Sequence, residues 1–244
     1  MTLPPKGLGG TFMLCKIAEL LVEVPEVGDL PQRCEAYLAK EPGKADIVIR
    51  EADFQPERWE GVSYNLICYM ESARLFYWEL LRFQGMMLHA SAVEFEGRSY
   101  LFSGPSTVGK STHTGLWKEI LGQGVETIND DKPALRYIDG TWYAYGTPWC
   151  GKDGINLNRK APLAGICFLK QSKQIVMSRL SAKDAMIRII HQSARKMPEP
   201  ELMTGMLMLV DTLVRDIPVY ELENTPTQEA ARLCYETLRA SAPC

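Results

Sequence analysis

The chain has 244 residues, 46% of them hydrophobic and 23% charged, with Lys+Arg 27 against Asp+Glu 30. That composition excludes a disordered, collagen-like or coiled-coil chain, and a formal net charge of −3 without a basic stripe speaks against general affinity for nucleic acid or an anionic membrane. The seven cysteines include no C-x-x-C pair, the N-terminal segment lacks the apolar run of a signal peptide, and no window approaches the ~18–20 apolar residues of a membrane span. The expectation is a soluble, cytoplasmic protein whose thiols are reduced and pack as small hydrophobes.

In chain order, residues 14–24 predict a strand, 30–40 a short helix and 46–50 a strand. Ser63 to Phe83 is apolar around most of its circumference, which predicts a long helix buried on several sides and stopped by Gly85. Its Tyr64, Tyr69, Phe76, Tyr77 and Trp78 read as core rather than cofactor contacts. Residues 86–103 switch to strand periodicity around Glu96-Gly97-Arg98, predicting a tight hairpin whose register sets His89 opposite Gly104. A helix at 111–121, strands at 125–128, near 133–145, at 162–169 and at 174–180, and helices at 182–195, 199–215 and 226–241 complete the pattern. The whole is a mixed α/β unit with a helical C-terminal third. It is read as a single domain over 1–244, with 1–85 as a peripheral layer on a core at 86–244. The methionines at 197, 203, 206 and 208 fit the buried side of a helix better than a peptide groove, and the last helix is amphipathic, suited to cover the sheet or another subunit.

One segment carries chemistry. Gly104-Pro105-Ser106-Thr107-Val108-Gly109-Lys110-Ser111-Thr112 matches G-x-x-x-x-G-K-[ST], with a predicted strand before it and a helix after it. Backbone amides of such a loop can wrap phosphates while the helix N-terminus favours their charge. Lys110 would reach the terminal phosphates and Ser111 would ligate Mg²⁺. The adjacent Asp130 and Asp131, after the next predicted strand, offer one carboxylate for the metal and one for a hydroxyl proton. The spacing predicts that their strand returns beside the strand of the loop. His89 is placed to orient a carboxylate or contact a phosphate, whereas His113 reads as a helix-surface residue. Residues 146–154 form either a surface hairpin with a packed Trp149 or a functional loop carrying Lys152 to the phosphate and Trp149 to the acceptor. The antiparallel hairpin before the loop argues for a mixed sheet, unlike parallel-sheet nucleotide hydrolases.

From Leu88 to Asp131, with Leu88-His89-Ala90-Ser91-Ala92, the Gly104–Thr112 loop and Asn129-Asp130-Asp131 in order, the chain resembles the catalytic core of the HPr kinase/phosphorylase family. It is also similar to the nucleotide core of phosphoenolpyruvate carboxykinase. The strong match covers about 45 residues, and a looser one extends to about residue 170. The resemblance implies a mixed-sheet phosphate-loop fold of the HPr kinase/PEP carboxykinase type, with ATP and Mg²⁺ as cofactors. It assigns phosphoryl transfer to a serine hydroxyl to His89, Lys110, Ser111, Asp130 and Asp131, and is compatible with a homo-oligomer. Lys132 stands where HPr kinases have Arg, and Gly146 to Gly154 replaces their later Gly-rich signature. The expected acceptor is therefore a serine of a small protein, a peptide or a metabolite. The alternatives are a non-catalytic nucleotide-binding sensor or assembly module and a carboxykinase-type enzyme.

Overall fold

The structure is a computed structural model and describes residues 10–193 and 200–242. Residues 14–24 do not form one strand. β1 (Phe12–Ile17) and β2 (Leu20–Pro25) are an antiparallel hairpin turning at Ala18-Glu19, both at positive φ, and β3 (Ile47–Val48) adds parallel to β2. The apolar residues on both sides of the turn hid it, because neither turn residue is a Gly or Asn. Between β2 and β3 lies α1 (Leu30–Cys34), extended by a 3₁₀ turn over Glu35–Tyr37.

The long helix α2 (Tyr64–Leu80) starts where the Ser63 hydroxyl accepts from the Leu66 amide. Gln84, not Gly85, takes the left-handed position that ends the following 3₁₀ turn, and Gly85 begins β4 (Gly85–Met87). The predicted strand over 86–95 thus breaks at Leu88-His89. β5 (Ala90–Phe95) and β6 (Arg98–Ser103) form the expected hairpin, with Ala90 paired to Ser103.

Beyond the loop stand α3 (Lys110–Leu121), β7 (Glu126–Asn129), β8 (Ala134–Ile138), β9 (Thr141–Tyr145), β10 (Lys160–Gln171) and β11 (Val176–Arg179). Then come α4 (Ala182–His191), α5 (Pro200–Asp216), β12 (Val219–Asn224) and α6 (Gln228–Ser241). The C-terminal third is therefore not purely helical: Val219, Tyr220 and Leu222 bury β12 beside β10, in parallel register from Ile166 and Val219 onward.

The order β4-β8-β9-β10-β6-β5-β7 builds the main sheet, and β12 branches from β10 to pair with β11. β6 is antiparallel to β5 and parallel to β10, so the sheet is mixed as expected. One expectation fails: β7 lies beside β5, not beside β6. Because β5 runs opposite to both neighbours, the ends of β6, β7, β10 and β12 and the start of β5 share one sheet edge.

Alternation along β6 splits the core. Tyr100 and Phe102 pack with Trp117 of α3 and Cys234 of α6, while Leu101 packs with Ile189 of α4 and Leu209 and Leu213 of α5. A third cluster joins the small N-terminal sheet and α2 to Ala134, Tyr145 and Trp149. The last helix covers the main sheet. In α5, Met206 is buried, Met203 packs at the core's edge and Met208 is exposed, while Met197 lies outside the described residues. The six described cysteines are buried and free. Among the described residues no helix is long and apolar enough to cross a membrane.

Candidate functional site

The Gly104–Gly109 loop leaves the end of β6 and enters α3, whose first helical residue is Lys110. Gly109 precedes the helix at φ 106°, a conformation costly to any side chain. Thr107 adopts φ 69° without being Gly, a strained position of the kind that persists where surrounding structure enforces it. The Lys110 ammonium folds back over the loop to the carbonyls of Gly104 (3.1 Å) and Pro105 (3.3 Å). Burial pushes its pKa down, and the charge of Asp131 works against that shift, so the two groups share an electrostatic environment. Pro105, Ser106, Thr107, Ser111 and Thr112 face solvent around it.

Across the same edge, β7 ends at Asn129 and both acids sit in the turn that follows. The Asn129 side-chain oxygen accepts from the amides of Asp131 (2.9 Å) and Lys132 (2.7 Å), and its amide nitrogen reaches the Thr147 carbonyl (3.1 Å). This Asx turn aims the two carboxylates apart. Asp131 faces His89, whose Nε2 lies 3.1 Å from Oδ1, and its Oδ2 pairs with the Lys132 ammonium and accepts from the Tyr69 hydroxyl (3.2 Å). Burial opposes ionisation of Asp131, but the hydrogen bond from His89 and the charge of Lys132 outweigh it and hold the carboxyl well below its usual range. Asp130 faces the other way and accepts from the Gly151 amide (2.5 Å). Burial raises its pKa, and the Gly151 bond offsets this only in part.

His89 is fixed on every side. Its Nδ1 lies 3.0 Å from Gln192 Oε1, its amide donates to the Gln192 carbonyl (2.8 Å), and its carbonyl accepts from the Ser103 hydroxyl (2.8 Å). The Ser91 hydroxyl donates to the Asp130 carbonyl (3.2 Å), joining β5 to the acid turn. The structure therefore gathers His89, Asp131 and Lys110 at one edge and sets Asp130 on the side of residues 146–154.

Within that segment Trp149 is fully buried, stacked on Phe76 at 4.6 Å with its indole N–H on the Ser72 hydroxyl (2.9 Å). It does not face an acceptor. Lys152 is exposed. Cys150 is buried, and burial pushes its thiol up, which disfavours the reactive thiolate. Gly151 is where a side chain would intrude: a Cβ there would stand 2.9 Å from Asp130 Oδ2.

His113 is not on the helix surface but buried, edge-on to Phe102 at 4.7 Å, and its Nε2 accepts from Trp117 Nε1 (3.2 Å). Burial pushes its pKa down to about 4. Folding thus favours the neutral ring, and the stability it contributes is complete above the unfolded value of about 6.5 and is lost as pH falls to the folded value. Chemical denaturation at pH 7 and pH 4 is expected to register a loss of up to ~3 kcal/mol from this group, and His113→Gln to flatten that part of the profile.

Sequence reasoning missed Tyr69, Gln192 and the role of Asn129. Asn before two acids is a local turn signal, whereas the Tyr69–Asp131 and His89–Gln192 contacts join residues 62 and 103 positions apart and leave no local trace. The oxygen side chains at this edge that could meet a metal are the Ser111 hydroxyl, which is exposed, and the Asp131 carboxylate, which is engaged by His89, Lys132 and Tyr69. Among the described residues no group of three or more His, Cys, Asp or Glu side chains could hold a metal by itself.

No model of a known protein family matches the chain, and no curated protein matches it. Among solved structures it is similar to the Hpr(Ser) kinase/phosphatase from Coxiella burnetii, at 12% identity and a TM-score of 0.37, over 63% of this chain and 88% of that one. That likeness is distant, and the functional reading rests on the geometry of the site itself.

Proposed function

We propose that the chain is an ATP- and Mg²⁺-dependent phosphotransferase that moves the γ-phosphoryl group to a hydroxyl, most simply a serine of a small protein or peptide, or a metabolite alcohol. The observation that carries this reading is the pairing of a helix-opening glycine loop, with Lys110 at its rim, to two carboxylates of opposite character. Asp131 is held ionised on the Lys110 side, and Asp130 is raised on the Gly151 side.

The loop amides and Lys110 would bind the phosphates. A bound Mg²⁺ supplies charge neutralisation across them, and Ser111 with Asp131 are the side chains that would hold it. Asp130 would accept the hydroxyl proton as the acceptor oxygen bonds to the γ-phosphorus and the β–γ bridging bond breaks, releasing the nucleoside diphosphate. Its raised pKa suits a group that must take up a proton. His89, locked by Gln192 and Ser103, would orient Asp131.

γ-Labelled ATP incubated with the chain, Mg²⁺ and a cell extract is expected to label a polypeptide or a small hydroxyl compound; no label with any fraction would overturn the reading. Gly151→Ala should lower transfer by about tenfold to a hundredfold with an unchanged melting temperature, because its Cβ would displace the Asp130 carboxylate.

One observation favours the second reading, a non-catalytic nucleotide-binding sensor or assembly module. Both oxygens of Asp131 are already engaged by His89, Lys132 and Tyr69, as in a structural network. Tight Mg·ATP binding without turnover would select it.

A further inference from the structure

Tyr69 of α2 is 7% exposed, and two cations lie against its ring: the Arg33 guanidinium of α1 at 4.6 Å from the centroid and the Lys132 ammonium at 4.8 Å. Its hydroxyl accepts from the Lys132 ammonium (2.8 Å) and can donate either to the Cys150 carbonyl (2.9 Å) or to Asp131 Oδ2 (3.2 Å). A phenol carries one proton, so the two acceptors compete for it. Asp131 Oδ2 is already paired with Lys132, and the carbonyl makes the shorter contact. The geometry therefore sets the proton on Cys150.

The Cys150 carbonyl and the Gly151 N–H are the two ends of one planar peptide unit, and the N–H end donates to Asp130 Oδ1 (2.5 Å). Fixing the oxygen of such a unit also fixes the direction of its N–H. A donor on the oxygen polarises the amide and strengthens the N–H bond, since hydrogen bonds in a chain reinforce one another where the dielectric is low. The unit is steadied from the side as well. The Asn156 amide reaches the Cys150 thiol (3.1 Å), and the Asn156 oxygen accepts from the Tyr37 hydroxyl (2.9 Å). Tyr77, about two turns along the same face of α2, gives the contrast. Its hydroxyl bonds the Lys132 carbonyl and Thr147 Oγ1 and, among the described residues, not the Cys150–Gly151 unit.

We propose that Tyr69 is a positioning residue that acts through the Cys150–Gly151 peptide on Asp130, holding its carboxylate where an acceptor hydroxyl would meet it. The inference rests on the reading of Asp130 as the base of phosphoryl transfer. It brings α1 and α2 into the site as the support of its acceptor side, because Arg33, Tyr37 and Tyr69 all bear on this one peptide unit and the tyrosine that bonds it.

Two measurements keep the inference and that reading apart. The first needs no turnover: the amide resonance of Gly151 in the isotope-labelled, unliganded chain, which a short bond to a carboxylate holds far downfield. Tyr69→Phe should move it upfield, and Tyr77→Phe should leave it in place. Replacing Tyr69 by a ring-fluorinated tyrosine, a stronger donor of nearly the same shape, should move it further downfield and carries the test should Tyr69→Phe fail to fold. The second measurement is the split between kcat and nucleotide affinity. Tyr69→Phe should lower kcat by about tenfold and change Mg·ATP affinity by less than about threefold, since Asp131 keeps His89 and Lys132. A Gly151 resonance that ignores both changes at Tyr69 would overturn the inference whatever the activity. So would weakened Mg·ATP binding with an unchanged kcat, because Tyr69 would then act on Asp131 alone. The expected shifts in a chain that transfers no phosphoryl group would uphold the link from Tyr69 to Asp130 and overturn the reading of Asp130 as a base.

Discussion

Lys110→Ala is expected to weaken Mg·ATP binding by about tenfold to a hundredfold while leaving the melting temperature of the unliganded chain nearly unchanged. The size follows from the ~1.5–3 kcal/mol typical of a hydrogen bond to a charged group. The small effect on folding follows from what Lys110 does without ligand. Its ammonium sits on two backbone carbonyls of its own loop, and burial has already made the charge less favourable. Deleting it removes those contacts and a desolvated charge together. An anion in the loop would instead give the ammonium phosphate oxygens. Lys110→Arg should not restore affinity in full, since a planar guanidinium cannot replace a point charge over a tight loop. Calorimetric titration alongside thermal melting checks both halves of the prediction, and wild-type affinity in Lys110→Ala would remove the loop from the binding site.

What the sequence made legible is what short-range pattern controls. The β5–β6 hairpin was readable because Glu96-Gly97 supplies the two positive-φ residues of its turn, and the pairing of Ala90 with Ser103 brings His89 to the loop as the register required. The glycine loop was readable because its residue spacing is itself the geometry. The place of β7 was not, since nothing between α3 and Asn129 tells whether the returning strand joins β6 or adds outside β5. β12 was hidden among helices because a short alternating run gains its burial only from β10, some fifty residues earlier. At the site, the two acids stand out in the sequence as candidates, but the division between their surroundings does not. That division comes from Gly151, Tyr69, Lys132 and His89 converging from separate elements, and it fixes the opposite pKa directions of two neighbouring carboxyls. His113 misled for a related reason: one turn past Lys110, its burial is decided by Phe102 and Trp117 rather than by its own neighbours in sequence.

Asp130→Asn and Asp131→Asn should fail in different ways, and the difference tests the assignment of roles. Asp130 keeps a carboxylate edge beside the Gly151 amide, and burial together with the neighbouring charges of Asp131 and Asp153 raises its pKa. Its amide variant should bind Mg·ATP normally and lose transfer by about 10²–10⁴-fold, the usual contribution of a positioned general base. Asp131→Asn leaves His89 and Lys132 facing a neutral group, removes the proposed metal donor, and deletes the charge that supports the Lys110 ammonium. Its main effect should therefore be weaker Mg²⁺-dependent nucleotide binding. The sign of the pH effect is also fixed. Asp131 raises Asp130 by like-charge repulsion, so removing that charge lowers the Asp130 pKa and moves the acidic limb of the residual rate profile to lower pH. Steady-state rates against pH for both variants, with Mg·ATP affinities measured separately, decide the matter. A fully active Asp130→Asn variant, or an acidic limb that moves upward in Asp131→Asn, would reverse the assignment of the two carboxylates.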